Sequence, residues 1–309
     1  MAVPGLLSSL ARNQYFRTYV GRPCIEASTW LWSYIPDTAR KTKPAQRYGR
    51  WLHNLVHLRD RGYRRQNPGT YFLRNRAELE FVGQLAATVP MGGQLRIAVL
   101  GCSTGAEAFS MSWAVLDKRR DIDLAVHASD ISATSVETAR AAVYPADFVA
   151  ITGREAPGLD ETEKAQLLET LADGSYRVRD DWRAPITWHL LDAMHPDVVE
   201  RIGLQDVVVA NRFLCHMEPG VARRCLRNVI RLVKPGGHLL VTGVDLDVRS
   251  QEIRAAGLIP VMDGIEDRHE GDPTLRIGWP LNYWGLEPLD KNRPDWPFRY
   301  GIAFRKPAD

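Results

Sequence analysis

The chain has 309 residues, 45% of them hydrophobic and 25% charged, with a formal net charge of +3, which is the make-up of an ordinary globular α/β protein rather than a membrane-spanning or disordered one. No apolar run is long enough to cross a bilayer. The start, Met1-Ala-Val-Pro-Gly-Leu-Leu-Ser-Ser-Leu, lacks the basic opening of a secretion signal, and Cys24, Cys102, Cys215 and Cys225 show no CxxC spacing, so reduced thiols, a cytoplasmic location and no metal are expected.

Residues 1–66 hold twelve basic and three acidic side chains, a balance of +9 that leaves the rest net acidic. Such a lobe can attract an acidic partner, although a solvated helical face explains the charge as simply. It is expected to be basic and mostly helical, with Trp30, Trp32, Tyr34, Trp51 and Tyr63 forming a small core or a cap. A second domain then spans 67–309. Tyr71 to about Ala87 reads as a helix, with Phe72, Leu79, Phe81 and Leu85 on its buried side. Strand-like runs follow at Ile97–Leu100, Leu124–Ser129, Ile186–Leu191, Val207–Ala210 and His238–Thr242, the last after a Lys234-Pro-Gly-Gly237 turn. Helix-like stretches at 107–118, 132–142 and 219–233 lie between them, which predicts a mostly parallel sheet covered on both faces. The stretch at about 145–185 breaks the rhythm and reads as an insertion, with a polar helix at Glu161–Leu171 and a short strand at Tyr176–Arg179. Residues 276–285 and Phe298–Phe304 are expected to supply the last, antiparallel strands.

The first strand runs into Gly101-Cys-Ser-Thr-Gly105 and then a helix. That arrangement points backbone N–H groups and a helix N-terminus at a small ligand. A nicotinamide cofactor needs G-x-G-x-x-G and a Walker loop needs Gly-Lys-Ser/Thr, and neither is present. Asp130, Asp192 and Asn211 close the second, third and fourth strands, where ligands of open α/β sheets bind. Asp130 is placed to hold ribose hydroxyls. A nucleoside without phosphates, carrying an amino-acid tail, fits best: S-adenosyl-L-methionine.

Thr70-Tyr-Phe-Leu-Arg74, Gly101-Cys-Ser-Thr-Gly-Ala-Glu-Ala-Phe-Ser110, Ala128-Ser-Asp-Ile131, Val143-Tyr144, Asp206-Val-Val-Val-Ala-Asn-Arg-Phe-Leu-Cys-His-Met217 and Leu232-Val-Lys-Pro-Gly-Gly237 together resemble the CheR-type methyltransferases, the chemotaxis receptor glutamate methyltransferases and their relatives. The resemblance covers about residues 67–245 and implies a Rossmann-like class I methyltransferase sheet. It implies that Thr70, Arg74, Gly101, Ser103, Glu107, Asp130, Ile131, Asp192, Ala193, Asn211, Arg212 and Phe213 hold the cofactor. The insertion then matches the small β subdomain that docks on the receptor. Three positions depart from the family. Ala106 stands where a glutamate is usual, Asn211-Arg212 replaces an Arg-Asn pair, and His216 replaces a tyrosine near the transferred methyl.

These departures favour an S-adenosylmethionine-dependent methyltransferase acting on the oxygen of a small-molecule or glycan-like acceptor. His216 is the candidate catalytic base for a hydroxyl, against capping the helix that starts at Glu218-Pro219. A protein glutamate carboxyl methyltransferase and a non-catalytic S-adenosylmethionine-binding module are the alternatives. Nucleic acid is a weaker partner, since no recognition motif for it appears.

Overall fold

Gln94–Leu100 (β1) lies in the interior of a sheet because its final four residues are apolar on both sides and fully buried. Strand geometry sends neighbours to opposite faces. Ile97 and Val99 therefore join one hydrophobic core, and Ala98 and Leu100 join the other. The computed structural model describes residues 22–40, 42, 44–49, 69–153, 158–272, 274 and 285–308. Two compact units divide the chain, one holding the described residues up to 49 and the other those from 69 onward.

In the first unit, Arg22–Ser33 and Asp37–Arg40 are helical. Trp32 is buried and stacks on Tyr48 at 5.8 Å between ring centroids. Among the described members of the expected aromatic core, Trp32 is the buried one. Trp30 is 59% exposed, as is most of Tyr34, and the two rings meet only edge to face. Trp51 and Tyr63 lie outside the described residues.

The second unit is a seven-stranded sheet of β1, Asp123–Asp130 (β2), Ile186–Leu190 (β6), Gln205–Asn211 (β7), Val233–Thr242 (β8), Ile259–Pro260 (β9) and Ala303–Arg305 (β10). Its order is β6-β2-β1-β7-β8-β10-β9. The first five strands in that order are parallel, while β10 runs antiparallel to both β8 and β9. Helices Arg76–Ala87 (α1), Ala106–Leu116 (α2), Ala133–Ala141 (α3) and Pro219–Leu232 (α5) connect or cover it. The chain leaves β1 for β2 on one side and returns to pair β7 on the other. That reversal opens a crevice at the carboxyl ends of β1 and β7.

Several boundaries move. The helix read from Tyr71 begins at Arg76, because Asn75 accepts from the Glu78 N–H at 3.2 Å and caps it. The Lys234–Gly237 turn is an outward loop within β8, between Val233 and His238, which pair with Gln205 and Val207. The insertion folds Val143–Tyr144 (β3), Leu168–Thr170 (β4) and Tyr176–Val178 (β5) into a small antiparallel sheet, order β3-β5-β4. Its helix, Glu161–Leu167 (α4), stops four residues short of the expected end, because residues from Leu168 pair with β5. Leu246–Ala255 (α6) and Ile265–Glu270 (α7) precede the C-terminal part. There, Phe298–Tyr300 belongs to helix Trp296–Tyr300 (α8) and only residues from Ala303 form strand. The strand expected at 276–285 falls almost wholly outside the described residues.

Candidate active site

The glycine loop after β1 is held in conformations that few side chains tolerate. Gly101 has φ +69° and a Cβ there would lie 2.9 Å from the Phe213 Cβ, so the loop and the segment after β7 touch backbone to ring. Ser103, a non-glycine residue, also takes a left-handed φ of 50°. Asp130 fixes this turn. Its carboxylate accepts the Ser103 N–H at 2.8 Å and the Ser132 N–H at 2.9 Å. The Tyr144 hydroxyl donates to the Thr104 carbonyl at 2.5 Å and pins the loop from the insertion's side.

A cavity opens at the carboxyl end of β7; Gly101–Gly105 and Asp130 are not among its described wall residues. Tyr71, Arg74 and Asn75 reach it from the segment before α1, and Glu78 from the first turn of α1. Glu107 and Ser110 come from α2, Asn211 and Thr242 from the ends of β7 and β8, and Asp272 from the loop after α7. The Leu73 N–H donates to Ser110 Oγ at 3.0 Å, which ties the Thr70–Arg74 segment to α2.

Asn211 organises the polar wall. Its Nδ2 donates to Glu78 Oε1 at 2.6 Å and to Glu107 Oε1 at 2.8 Å, while its Oδ1 accepts from Thr242 Oγ1 at 2.8 Å. Glu78 is 2% exposed. Burial, with Glu107 beside it, pushes the Glu78 carboxyl up to about 8. Burial also raises Glu107, against the opposing pull of Arg74 and of the Asn211 bond. The Arg74 guanidinium lies 5.2 Å from the Tyr71 ring centre and donates to the Gly69 carbonyl at 3.2 Å. Burial and the neighbouring Arg212 lower Arg74 from its ordinary value. Among the described residues, Arg74 Nε and Glu78 Oε2 are buried without a hydrogen-bond partner.

Arg74, Glu107 and Asn211 line the same cavity, with Thr70 buried next to Tyr71. Other expected residues are placed differently. Arg212, at φ 58°, pairs with Asp272 at 3.1 Å and bonds Thr274. Asp192 accepts from the Met194 N–H at 2.8 Å and so caps a turn, with Ala193 buried inside it. Ile131 is 37% exposed at the end of β2. His216 ends a single 3-10 turn, Leu214–His216, and is not one of the cavity's wall residues. Glu78 and Asp272 were missed. A signal for Glu78 existed: it stands three and four residues before Phe81 and Val82, on the stripe that α1 buries.

Residues 69–253 match the family model described as "CheR methyltransferase, SAM binding domain". The chain belongs to the CheR family. Its curated relatives include "Chemotaxis protein methyltransferase 2" of Vibrio cholerae serotype O1, 25% identical over 179 residues, 56% of this chain and 60% of that protein. They also include "Probable biofilm formation methyltransferase WspC" of Pseudomonas putida, 26% identical over 212 residues, 66% of this chain and 47% of that protein. The "Chemotaxis protein methyltransferase" of Vibrio parahaemolyticus is 26% identical over 152 residues, 48% of this chain and 52% of that protein. The chain spans about half the length of these relatives.

For this CheR family member the cofactor is S-adenosylmethionine, and the cavity suits its charged end. An amino-acid tail carries a carboxylate and an ammonium. Arg74, with an unsatisfied buried Nε, is chemically matched to the first, and Glu107 to the second.

Proposed function

We propose that this chain is an S-adenosylmethionine-dependent methyltransferase that methylates an oxygen of a small-molecule or glycan-like acceptor. The observation that carries the reading is the cavity at the carboxyl end of β7, in which Arg74, half-buried with its Nε enclosed, shares the wall with the acid pair Glu78 and Glu107. When bound, the cofactor supplies a methyl group made electrophilic by a sulfonium. The protein's part is to align, dehydrate and manage charge.

In this reading Arg74 orients the tail carboxylate, and Glu107 and Asn211 orient its ammonium. Asp130 holds the ribose with the acceptor capacity left beyond its two backbone bonds. Outside that cavity, Thr70, Gly101, Ser103 and Phe213 contact the rest of the cofactor, while Ile131, Asp192 and Ala193 flank the adenine. Arg212 acts by fixing Asp272 at the cavity wall. His216 is offered as an outer base, reached only if the acceptor extends beyond the cavity wall. We also assign residues 1–66 to a separate basic lobe and 67–309 to the methyltransferase domain.

A second reading rests on the relatives: two are named chemotaxis protein methyltransferases, which favours a protein glutamate carboxylate as acceptor. One experiment separates these. The protein is incubated with methyl-labelled S-adenosylmethionine and host extract, and the labelled species are identified by mass before and after mild alkali. Alkali-stable label on a small molecule supports the first reading. Alkali-labile label on protein supports the second. Tight cofactor binding without any labelled product would instead make the chain a binding module. Turnover preserved in His216→Ala would remove His216 from the mechanism and leave proton handling to the cavity.

A further inference from the structure

Arg74 reaches the cavity from a segment whose backbone is held in a strained shape. Leu73, just before it, is buried at φ 49°, a left-handed conformation that leucine adopts only where its surroundings impose it. Three bonds hold the segment there. The Leu73 N–H donates to Ser110 Oγ at 3.0 Å, and that hydroxyl donates its own proton to the Ala106 carbonyl at 2.7 Å, so towards Leu73 it only accepts. The Phe72 N–H donates to the carbonyl of Ala150, in the insertion, at 3.1 Å. The Leu73 carbonyl belongs to the peptide that leads into Arg74, and it accepts from Arg76 Nη1 at 3.4 Å.

Arg76 opens α1 and its side chain is 47% exposed, yet its guanidinium has a fixed direction. Nε and Nη2 donate to Glu163 Oε1 at 3.0 and 2.7 Å, and Nη2 also to Oε2 at 2.8 Å. Glu163 is fixed in turn by the cap of α4. Its Oε2 accepts the Asp160 N–H at 3.0 Å, while Asp160 Oδ1 accepts the Glu163 N–H at 2.8 Å. An exposed ion pair adds little stability as a rule. A forked pair on a carboxylate that is already held still sets direction. The bonds therefore run without a break from the insertion's helix cap, through Glu163 and Arg76, to the peptide beneath Arg74. Neither Arg76 nor Glu163 is among the cavity's described wall residues.

We infer that Arg76, aimed by Glu163, is a positioning residue for cofactor binding: it fixes the Leu73–Arg74 peptide so that the Arg74 guanidinium meets the carboxylate of the cofactor's tail. The inference rests on the reading that Arg74 orients that carboxylate, and it gives the insertion a part in holding the cofactor. Arg74 has little else to aim it. Its Nη2 bonds the Gly69 carbonyl and its guanidinium lies beside the Tyr71 ring, and both belong to the same short segment and move with it. Without Arg76, Leu73 relaxes from its left-handed conformation, and the long Arg74 side chain turns a small backbone rotation into a large displacement at its tip.

Calorimetry on the full chain with two thioether ligands tests this. S-adenosylhomocysteine carries the tail carboxylate. Its decarboxylated analogue keeps nucleoside, thioether and ammonium, and its binding is read by competition against S-adenosylhomocysteine. In Arg76→Met the affinity for S-adenosylhomocysteine should fall about three- to tenfold, while that for the analogue changes by less than about twofold. Glu163→Leu should copy this pattern. Arg76→Lys keeps the charge but loses the fork, and should match the methionine variant to within about twofold. Unchanged affinity for S-adenosylhomocysteine in Arg76→Met or Glu163→Leu overturns the inference. So does an equal loss for both ligands, the mark of a general structural effect, or full affinity in Arg76→Lys, the mark of charge acting at a distance. No heat from S-adenosylhomocysteine with the unaltered, folded protein overturns the methyl-transfer reading, and the inference with it.

Discussion

Glu78 ties stability to pH at the scale of one side chain. Its carboxyl is raised to about 8 in the folded protein, against about 4.3 in an unfolded chain. A raised acid lends relative stability that is fully present below its unfolded value and is lost as pH climbs through its folded one. The cofactor-free protein should therefore lose stability between about pH 5 and 8 compared with Glu78→Gln, by up to a few kcal/mol. Melting temperatures of both proteins across that range check this, and parallel curves would contradict it. Asn211→Ala should destabilise by about 2–4 kcal/mol, because it leaves the buried Glu78 and the half-buried Glu107 without their shared donor. Chemical denaturation measures that loss. Gly101→Ala puts a methyl against the Phe213 ring in a backbone conformation that alanine disfavours. It should cost about 1–3 kcal/mol and weaken S-adenosylhomocysteine binding at least tenfold by calorimetry. Asp130, Arg74 and Asn211 could be picked out in the sequence because each ends a strand or sits in a motif. Glu78 left only its place on the stripe that α1 buries, and Asp272 left no signal, since only folding brings α1 and the loop after α7 to the same wall.

Elements were legible in proportion to their apolar signal. The five parallel strands carry short apolar stretches, from Ile97–Leu100 in β1 to Val207–Ala210 in β7, although His127, Thr187 and His189 interrupt β2 and β6, and each was found within three residues of either end save β8, which also takes in the turn ahead of it. The strands of the small sheet are two or three residues long and carry little pattern of their own; their pairing partners define them. α1 shows how a cap overrides periodicity. Apolar residues recur from Phe72, but Asn75 takes an extended conformation and starts the helix after itself. Asn75 also donates to the Arg268 carbonyl at 2.9 Å, so the same side chain joins α1 to α7. Asn75→Ala should cost about 1–3 kcal/mol. Because α1 carries Glu78, it should also weaken cofactor binding, which a truncated helix elsewhere would not do. Calorimetry beside thermal unfolding separates the two effects.

All the candidate site residues belong to the second of the two units. A chain beginning at Arg65 should therefore bind S-adenosylhomocysteine within about threefold of the full chain, since the described wall residues all belong to the second unit. A much larger loss would show that the basic lobe shapes the pocket. The overall α/β architecture was readable from the alternation of strand and helix. The position of β10 was not, because sequence order says nothing about which gap a late strand fills.

That position governs how the molecule comes together. β10 lies between β8 and β9 although it follows both in the chain by more than forty residues. Until Ala303–Arg305 has left the ribosome, the Leu239 and Leu240 backbone stands open on that side and Ile259 has no strand beside it. A nascent chain paused shortly before this point displays an adhesive border, and holding it apart from its neighbours is work for chaperones during synthesis.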